Sequence, residues 1–577
     1  MKYGLVAAAL AVLLTGCASV PSGSRVVRGN AGGGEQPIDD PYVRIIPVGP
    51  GHDWDPSTIV TAFRTASASF DGPNGEHQVA RSYLACRGCW RPGVASIVYD
   101  SLDSQVMQSI DADQVSITVE GTQLGRIGSD GQYISDARRF KRNFRLRRDA
   151  QKQWRITELP QELLLSADDV NRAFRTLNLY FFAPDAEVLV PNPVFIPLIS
   201  RPWLSTQLVK QLIGGPTTWL KGAAVRSAFP AGTWLRHLDI SGGVATVDLS
   251  RQAGSGDLRT MSIQLMWTLR QLREAQRMKL EIDGKPVQVP GVNGDLQSPT
   301  DWAAFDPDGT GEPPSAYVRT ADGRLARFDD GGPYVVLPRF RVNQPAISYD
   351  QRQVASLNDA GDAVTVTDLA GGSRDVLSAQ LKGGRFSTPS WDSRGNVWAV
   401  ESNATGSRLW VIEGGTKPLS VDGWTLSQYP VKALRISRDG TRAAAIVQVG
   451  AASQVQLGRV DRAPSGGLQA EGFIALSSEL SNATDLTWSS SDHLTVVGAT
   501  QGNPSPLLYD VPVSGALIQP MVGPGGDMKA ISAYPGAPLL VTQHVSNAKS
   551  PDNICRLSDK FGEWKCFNGT SDPAYPG

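Results

Sequence analysis

The sequence predicts a multidomain protein in which two α+β domains precede an all-β propeller. Up to about residue 291, apolar residues at helical spacing alternate with period-2 strand patterns. From about residue 300, short strands and polar turns recur every 42 to 52 residues or so, the length of a four-stranded propeller blade. Glycine (59 residues) and proline (39) are abundant while charged residues make up only 19%, a balance that favours loop-rich β structure.

The first sixteen residues predict an export signal. Lys2 provides positive charge, and the apolar run over residues 4–14 is shorter than the roughly 20 residues that a membrane-spanning helix needs. The residues that follow this run resemble a lipobox, at which bacteria attach diacylglycerol to a cysteine thiol and cleave in front of it. The four lipobox residues are Leu14, Thr15, Gly16 and Cys17. The resemblance implies removal of residues 1–16 and acylation of Cys17, including palmitate; the alternative is an ordinary secretory signal peptide with a chance cysteine.

A lipidated N-terminus predicts a protein held on the outer, extracytoplasmic face of the cell membrane. Each acyl CH₂ buried in the bilayer contributes about 0.8 kcal/mol. Residues 17–41 are rich in Gly, Ser and Pro and predict a flexible tether. No later apolar run approaches 18 residues, so the lipid is the membrane anchor that the sequence predicts. The net charge of −1 gives no electrostatic drive toward nucleic acid.

Four cysteines besides Cys17 form two close pairs, as expected of disulfides in an oxidising compartment. Cys86 and Cys89 are separated by two residues, which is also typical of a thioredoxin-type redox motif or half of a zinc site. No second CxxC or spaced histidine pair completes a metal site, and no βαβ pattern surrounds the motif, so we predict a local structural disulfide. Cys555 and Cys566 are predicted to join the last hairpin.

The first folded domain is predicted over residues 42–183. Asp55 and Pro56 are suited to begin a helix, which runs toward Phe70. A second helix over residues 76–85 precedes three strands, at 115–120, 138–148 and 154–159, which indicate a curled, cone-like antiparallel sheet. A capping box at Ser166 and Asp169 predicts a helix through Leu177 that leads to the next domain.

The strand at 138–148 is amphipathic. Phe140, Phe144 and Leu146 fall on one face, and four basic residues fall on the other. The basic residues are Arg139, Lys141, Arg145 and Arg147. We interpret them as a solvated face, or alternatively as a contact with anionic lipid headgroups or wall polymers.

The second domain is predicted over residues 184–291. A helix begins near Pro202 and ends at the Gly-Gly-Pro of residues 214–216. A β-hairpin follows, with strands at 233–240 and 244–249. The longest predicted helix of the chain then spans 257–278 and leads into a short strand over 279–282.

This second domain resembles the GerMN domain of sporulation and germination proteins. The resemblance lies in Val-Ala-Thr-Val-Asp-Leu-Ser at 244–250, the helix after it, and Leu-Glu-Ile-Asp-Gly at 280–284. A lipobox, a GerMN-like domain and a propeller, in that order, resemble the LpqB lipoproteins of actinobacteria. This resemblance covers nearly the whole chain after the signal, although the Cys86–Cys89 pair is not a feature that it brings.

The propeller is predicted over residues 300–577. Five related strand–turn–strand repeats begin at Pro345, Pro389, Leu434, Leu486 and Ile531. A blade buries both faces of its sheet only by stacking on its neighbours. The hairpin from Tyr317 to Phe328 is predicted to pair with the last repeat and close the ring. Five blades is the predicted number, with six as the alternative.

The sequence does not nominate catalytic residues, a metal or a cofactor. The five histidines are scattered, and no Gly-x-Ser-x-Gly elbow, Walker A loop or GxGxxG motif is present. Asp392 and Asp439 occupy equivalent blade turns, which favours turn residues over a catalytic pair. We therefore predict a binding protein rather than an enzyme.

The resemblance to LpqB lipoproteins implies an accessory of a two-component system. Such a protein would contact the extracytoplasmic domain of the sensor histidine kinase and modulate signalling in cell-wall homeostasis and division. One alternative is an envelope protein that binds glycan or lipid in the propeller channel or in the N-terminal cone. A third possibility is a propeller hydrolase.

Overall fold

The computed structural model describes residues 46–577 except 73–74, 94, 223, 310–311, 330–331, 463–466, 516, 547–551 and 559–561, with residues 335–340 described by their backbone only. The predicted signal peptide, the lipobox with Cys17 and the tether 17–41 lie outside the described residues. Among the helices that are described, none combines the length and apolar character needed to span a bilayer.

The first domain combines three helices with a five-stranded sheet. Its elements are α1 Pro56–Ser67, α2 Gln78–Arg81, β1 Ala95–Asp111, β2 Gln114–Gly128, β3 Tyr133–Arg148, β4 Trp154–Glu158, β5 Leu163–Ser166 and α3 Ala167–Ala173. The strand order is β4-β3-β2-β1-β5, antiparallel except that β5 runs parallel to β1. Asp55 caps α1 by accepting from the backbone of Ser57 and Thr58. Phe63 of α1 packs edge-on against Phe144 of β3, which places the core between helix and sheet.

Two predicted helices of this domain are shorter than expected. Only α2 forms within the predicted helix 76–85. The capping box of Ser166 and Asp169 is present, but α3 ends at Ala173 because Phe174 is extended, with φ −123° and ψ 160°. The aromatic and β-branched residues that follow belong to a strand rather than to a connecting helix.

The second domain begins earlier than predicted. Its elements are β6 Phe174–Phe182, β7 Leu189–Pro197, α4 Arg201–Gly214, β8 Leu235–Ser241, β9 Val244–Leu249, α5 Leu258–Leu269, β10 Arg277–Ile282 and β11 Lys285–Pro286. Residues 177–183 are buried in one core with α4 and α5, so the predicted boundary between residues 183 and 184 is wrong. The predicted helix 257–278 also ends early, and its last nine residues form a turn and the start of β10.

The connection to the propeller belongs to the second domain. Residues 299–305 form a 3₁₀ helix whose Trp302 and Phe305 are buried in the core of that domain. The first propeller strand starts at Ala316, so residues 300–305 were wrongly assigned to the propeller.

Six four-stranded sheets form the third domain. The first three consist of β12 Ala316–Thr320, β13 Arg324–Asp329, β14 Gly332–Arg341, β15 Ala346–Ile347, β16 Gln353–Leu357, β17 Ala363–Asp368, β18 Ser373–Ser378, β19 Arg385–Phe386, β20 Ser390–Trp391, β21 Val397–Ser402, β22 Ser407–Glu413 and β23 Lys417–Ser420. The inner strand of the third sheet is split into β19 and β20, which both pair with β21.

The last three sheets and the closing strand follow in chain order. They consist of β24 Val431–Ile436, β25 Arg442–Val449, β26 Ala452–Arg462, β27 Leu468–Ala475, β28 Leu480–Trp488, β29 His493–Thr500, β30 Leu507–Pro512, β31 Gln519–Met521, β32 Asp527–Ser532, β33 Leu540–His544, β34 Asp552–Leu557, β35 Trp564–Asn568 and β36 Thr570–Ala574. A single pairing of Ser453 with Asn482 connects the fourth sheet to the fifth.

The ring is closed as predicted, by pairing the first and last parts of the domain. β36 pairs with β12, so the C-terminal strand becomes the inner strand of the first blade. This blade is the one that the five repeats leave out. The propeller therefore has six blades, and the count of five is corrected to the alternative.

Candidate functional site

The two predicted cysteine pairs are disulfides in the structure. Cys86–Cys89 joins two exposed residues in a turn before β1. Cys555–Cys566 links opposite residues of β34 and β35, with Cys555 fully buried. Among the described residues, no group of three or more His, Cys, Asp or Glu side chains is arranged to hold a metal ion.

The basic strand β3 has the predicted alternation, but most of its charge is paired. Phe140, Phe144 and Leu146 are buried, while the four basic residues are exposed. Three of these form ion pairs with acidic residues of other strands in the sheet: Arg139 with Asp103, Lys141 with Glu120, and Arg145 with Glu158. Within the described part of the chain, Arg147 alone of the four has no acidic partner. This arrangement favours a solvated face, because exposed pairs offset each other's charge.

Trp219 belongs to the second domain and forms hydrogen bonds with residues of the other two domains. Its indole Nε1 donates to the Gly472 carbonyl of the propeller at 2.6 Å, and its own carbonyl accepts from Arg459 at 3.0 Å. Its backbone N–H donates to Gln132 of the first domain at 3.0 Å. The three domains are thus connected by direct hydrogen bonds to one residue.

The inner turns of three propeller blades contact the second domain. These inner turns, each joining the first and second strands of a blade, are residues 392–396, 437–441 and 489–492. Arg394 forms an ion pair with Asp185, with 3.0 Å between Nε and Oδ2. The Asn178 amide donates to Asp492 at 2.8 Å, and Arg442, which follows the second turn, lies 3.5 Å from the Pro191 carbonyl.

Arg442 and Asp439 form a buried ion pair at this contact. The side chains of Arg442 and Asp439 are only 1% and 4% exposed. Arg442 also donates to the Ser491 carbonyl at 2.7 Å and lies over the Trp488 ring. Burial alone would raise the pKa of Asp439, but the Arg442 guanidinium and the hydroxyls of Thr441 and Ser437 lower it below its usual value. The pair therefore stays charged in the folded protein.

Asp492 and His493 form a second charged pair in the same region. Nδ1 of His493 lies 2.8 Å from Oδ1 of Asp492, and Nε2 lies 3.8 Å from Asp510. Burial alone would lower the pKa of His493, but the two carboxylates, above all Asp492, raise it to about 9. Burial, with the Asp492 charge, raises the pKa of Asp308 in the connection to the propeller to about 6. His493 is thus a cation at neutral pH.

Ser490, Asp492 and His493 lack the geometry of a catalytic triad. A triad requires a neutral histidine that accepts the serine proton on one ring nitrogen and donates to the carboxylate from the other. Here the Ser490 hydroxyl donates to Asp492 at 2.8 Å and lies 3.5 Å from the same ring nitrogen that faces Asp492. A histidine with a pKa near 9 is also a poor general base at neutral pH.

The inner strands of the six blades surround a central cavity of about 90 Å³ that is partly open to solvent. Each blade contributes at least one lining residue, among them Ala574, Ala346, Ser390, Arg435, Thr487 and Ile531. At the end beside the inner turns the lining includes Tyr349, Arg438, Tyr534 and Asp308.

Asp392 and Asp439 in the inner turns are turn residues, as the sequence predicts, and they also form ion pairs. Asp392 accepts from the backbone of Arg394 and Asn396, and Asp439 from that of Thr441. Their arginine partners, Arg442 for Asp439 and Arg462 for Asp392, were not predicted from the sequence. The arginine three residues after Asp439 could have indicated an ion pair. Asp392 and Arg462 are 70 positions apart, so no local pattern indicates theirs.

Family models match three consecutive parts of the chain. The model described as "Lipoprotein LpqB, N-terminal domain" matches residues 49–171, and "Sporulation and spore germination" matches 178–288. The model described as "Lipoprotein LpqB beta-propeller domain" matches residues 323–576. The order of the three matches is that of the three structural domains.

Similar proteins include two curated relatives that align over almost their whole length. Lipoprotein LpqB of Thermobifida fusca is 34% identical over 631 residues, covering 99% of this chain and 98% of the relative. Lipoprotein LpqB of Streptomyces coelicolor is 29% identical over 618 residues, covering 98% and 96%. Among solved structures, the first GerMN domain of GerM from Bacillus subtilis aligns at 23% identity with a TM-score of 0.19, covering 22% of this chain and 98% of that domain.

Proposed function

Because this chain belongs to the LpqB lipoprotein family, we propose that it is a non-catalytic accessory that binds the extracytoplasmic domain of a sensor histidine kinase. In this proposal Cys17 carries the lipid, which holds the protein on the outer face of the cell membrane. Binding modulates the signalling of the kinase in cell-wall homeostasis and division. The lipid also confines both partners to one surface, which raises their effective concentration so that a modest contact is sufficient.

The observation that carries the proposal is the uneven use of the two ends of the propeller. Successive antiparallel strands place consecutive turns at opposite ends of a blade. The inner turns contact the second domain. The loops joining the second and third strands of blades two to five, here called the open-end loops, are residues 358–362, 403–406, 450–451 and 501–506. None of the hydrogen bonds described for these four loops reaches the first two domains, which supports their use by a partner.

A matched pair of threonines tests the open-end loops. Thr405 lies in an open-end loop of the third blade, and Thr416 lies in the turn at the other end of the same blade. Both are exposed, and each hydroxyl makes one hydrogen bond within its own turn, at 2.9 and 3.1 Å. Arginine at either position therefore changes the surface with similar effects on folding.

The experiment reconstitutes the full lipoprotein and the full kinase in one vesicle population and measures crosslinking and autophosphorylation. We expect crosslinking with the wild-type protein, at least a tenfold loss with T405R, and little change with T416R. Cys17→Ala, added from solution, should lose the contact because the shared surface is lost. No crosslink with the wild-type lipoprotein, or equal loss with both threonine variants, would contradict the proposal.

A second candidate function is the binding of an envelope glycan or lipid. The central cavity favours it, because its lining combines aromatic rings with arginines. Retained kinase crosslinking, together with loss of signalling on blocking this cavity, would favour the second function over the first.

A further inference from the structure

Arg438 lies at the end of the central cavity between two aromatic rings. Its guanidinium carbon is 5.9 Å from the centroid of the Tyr349 ring and 5.2 Å from that of Tyr534. Nη1 donates to the Tyr534 hydroxyl and, at 3.3 Å, to the Asp308 carbonyl. These contacts restrict a long side chain to one position and so reduce the entropy that a ligand contact would cost.

The charge of Arg438 is not paired as the charges of its neighbours are. Four other arginines near this end of the propeller have carboxylate partners: Arg394 with Asp185, Arg435 with Asp485, Arg442 with Asp439, and Arg462 with Asp392. In the part of the chain that the structure describes, no carboxylate oxygen lies within 4.0 Å of an Arg438 nitrogen. Asp308 is close by, but its carboxylate accepts from the Ser491 backbone. The Arg438 guanidinium is thus fixed in position, and its two described hydrogen-bond acceptors, the Asp308 carbonyl and the Tyr534 hydroxyl, are uncharged.

A guanidinium presents five N–H donors in a planar fork that matches a carboxylate or phosphate. Both described hydrogen bonds of Arg438 use Nη1, so Nε and Nη2 have no described acceptor. Trp488, Tyr349 and Tyr534 line the cavity beside it and offer apolar surface to the body of a ligand.

We propose that the central cavity of the propeller is a binding site for a small organic anion, whose carboxylate or phosphate is bound by Arg438. Tyr349 and Tyr534 hold the guanidinium in place, and the aromatic lining contacts the uncharged part of the ligand. Asp308 sets an upper limit on affinity, because its carboxylate repels the bound anion. This site does not depend on the kinase proposal, since that contact uses the open-end loops.

Titration calorimetry on the full lipoprotein in detergent micelles tests the site with two pairs of probes. The pairs are N-acetylmuramic acid with N-acetylglucosamine, and glucose 6-phosphate with glucose; each pair differs by one acidic group. We expect at least one acidic probe to bind ten times or more tightly than its neutral counterpart, which corresponds to about 1.4 kcal/mol. Failure of both acidic probes to exceed their neutral counterparts would overturn the proposal.

Three variants assign the binding to Arg438. Arg438→Gln should remove the preference for the acidic probe, whereas Arg352→Gln, at a side chain 82% exposed, should leave it unchanged. Asp308→Asn keeps an acceptor for Ser491 and should tighten binding of the acidic probe. If Arg438→Gln does not fold, Asp308→Asn still tests the position of the anion. Unchanged or weaker binding of the acidic probe in that variant would show that the anion does not bind beside Asp308.

Discussion

Replacing Arg442 by methionine should destabilise the propeller through the charge that remains. Asp439, 4% exposed, loses the guanidinium but keeps its hydrogen bonds from Ser437 and Thr441. Methionine fills much of the aliphatic volume, so the main change is an uncompensated carboxylate in a buried site. Removing one partner of a buried ion pair costs about 3–5 kcal/mol, and we expect a loss in this range at pH 7.5.

The same reasoning predicts that the loss depends on pH. In the wild-type protein the pKa of Asp439 is lowered, so its contribution is present above the unfolded pKa of 3.8 and is lost as pH falls through the folded value. Without Arg442, burial dominates and raises the pKa of Asp439 in the folded state. Protonation of Asp439 then removes the free-energy cost of a buried charge. Arg442→Met should therefore be less destabilising at pH 5 than at pH 7.5.

Urea unfolding followed by tryptophan fluorescence at the two pH values measures these losses. Adding Asp439→Asn to Arg442→Met should recover most of the stability, because no buried charge remains. Arg408→Met is the control, since Arg408 is exposed and lies over Trp410 without an ion pair among the described residues; it should cost no more than about 1 kcal/mol. A loss below about 1 kcal/mol for Arg442→Met, or one that is equal at both pH values, would refute the reasoning.

Three further predictions follow from the contacts between domains and from the disulfides. The thermal midpoint should decrease as the pH is raised from 6.5 to 9, because folded His493 then loses the proton that stabilises its pair with Asp492. The decrease should be smaller in His493→Gln, and an equal decrease in that variant would contradict the pKa of about 9. Trp219→Phe removes the hydrogen bond to Gly472 and should cost about 1 kcal/mol in urea unfolding, whereas Trp234→Phe, 55% exposed, should have no measurable effect. Graded reduction with alkylation and mass spectrometry should label Cys86 and Cys89 before Cys555, because the first pair is exposed and Cys555 is buried; simultaneous labelling would contradict this.

Local patterns were sufficient where the cause of a structure is local. The cap at Asp55, the capping box at Ser166 and Asp169, and the alternation along β3 all depend on residues a few positions apart, and all are present in the structure. The order of the three domains was also readable, because each domain has its own periodicity and the resemblance to LpqB lipoproteins spans them.

Element ends and domain boundaries were harder to predict because packing decides them. The apolar pattern of residues 174–182 is compatible with a buried helix or a buried strand. The strand forms because this segment pairs with β7 in the core of the second domain. The first blade was missed as a repeat because its inner strand, β36, comes from the other end of the domain. A repeat search compares consecutive segments, and no consecutive segment contains that blade.

The sequence by itself was sufficient to predict two α+β domains followed by a stacked β domain, and the structure has all three; the export signal and the lipid-bearing cysteine stay predictions. Only the tertiary structure decided which polar groups meet. Arg442 and Pro191, Asn178 and Asp492, and Arg438 and Tyr534 are 251, 314 and 96 residues apart. Side chains so distant in sequence leave no periodic signal, because their contact depends on closing the ring and placing the second domain against it. The candidate anion site at Arg438 is therefore a property of the folded chain alone.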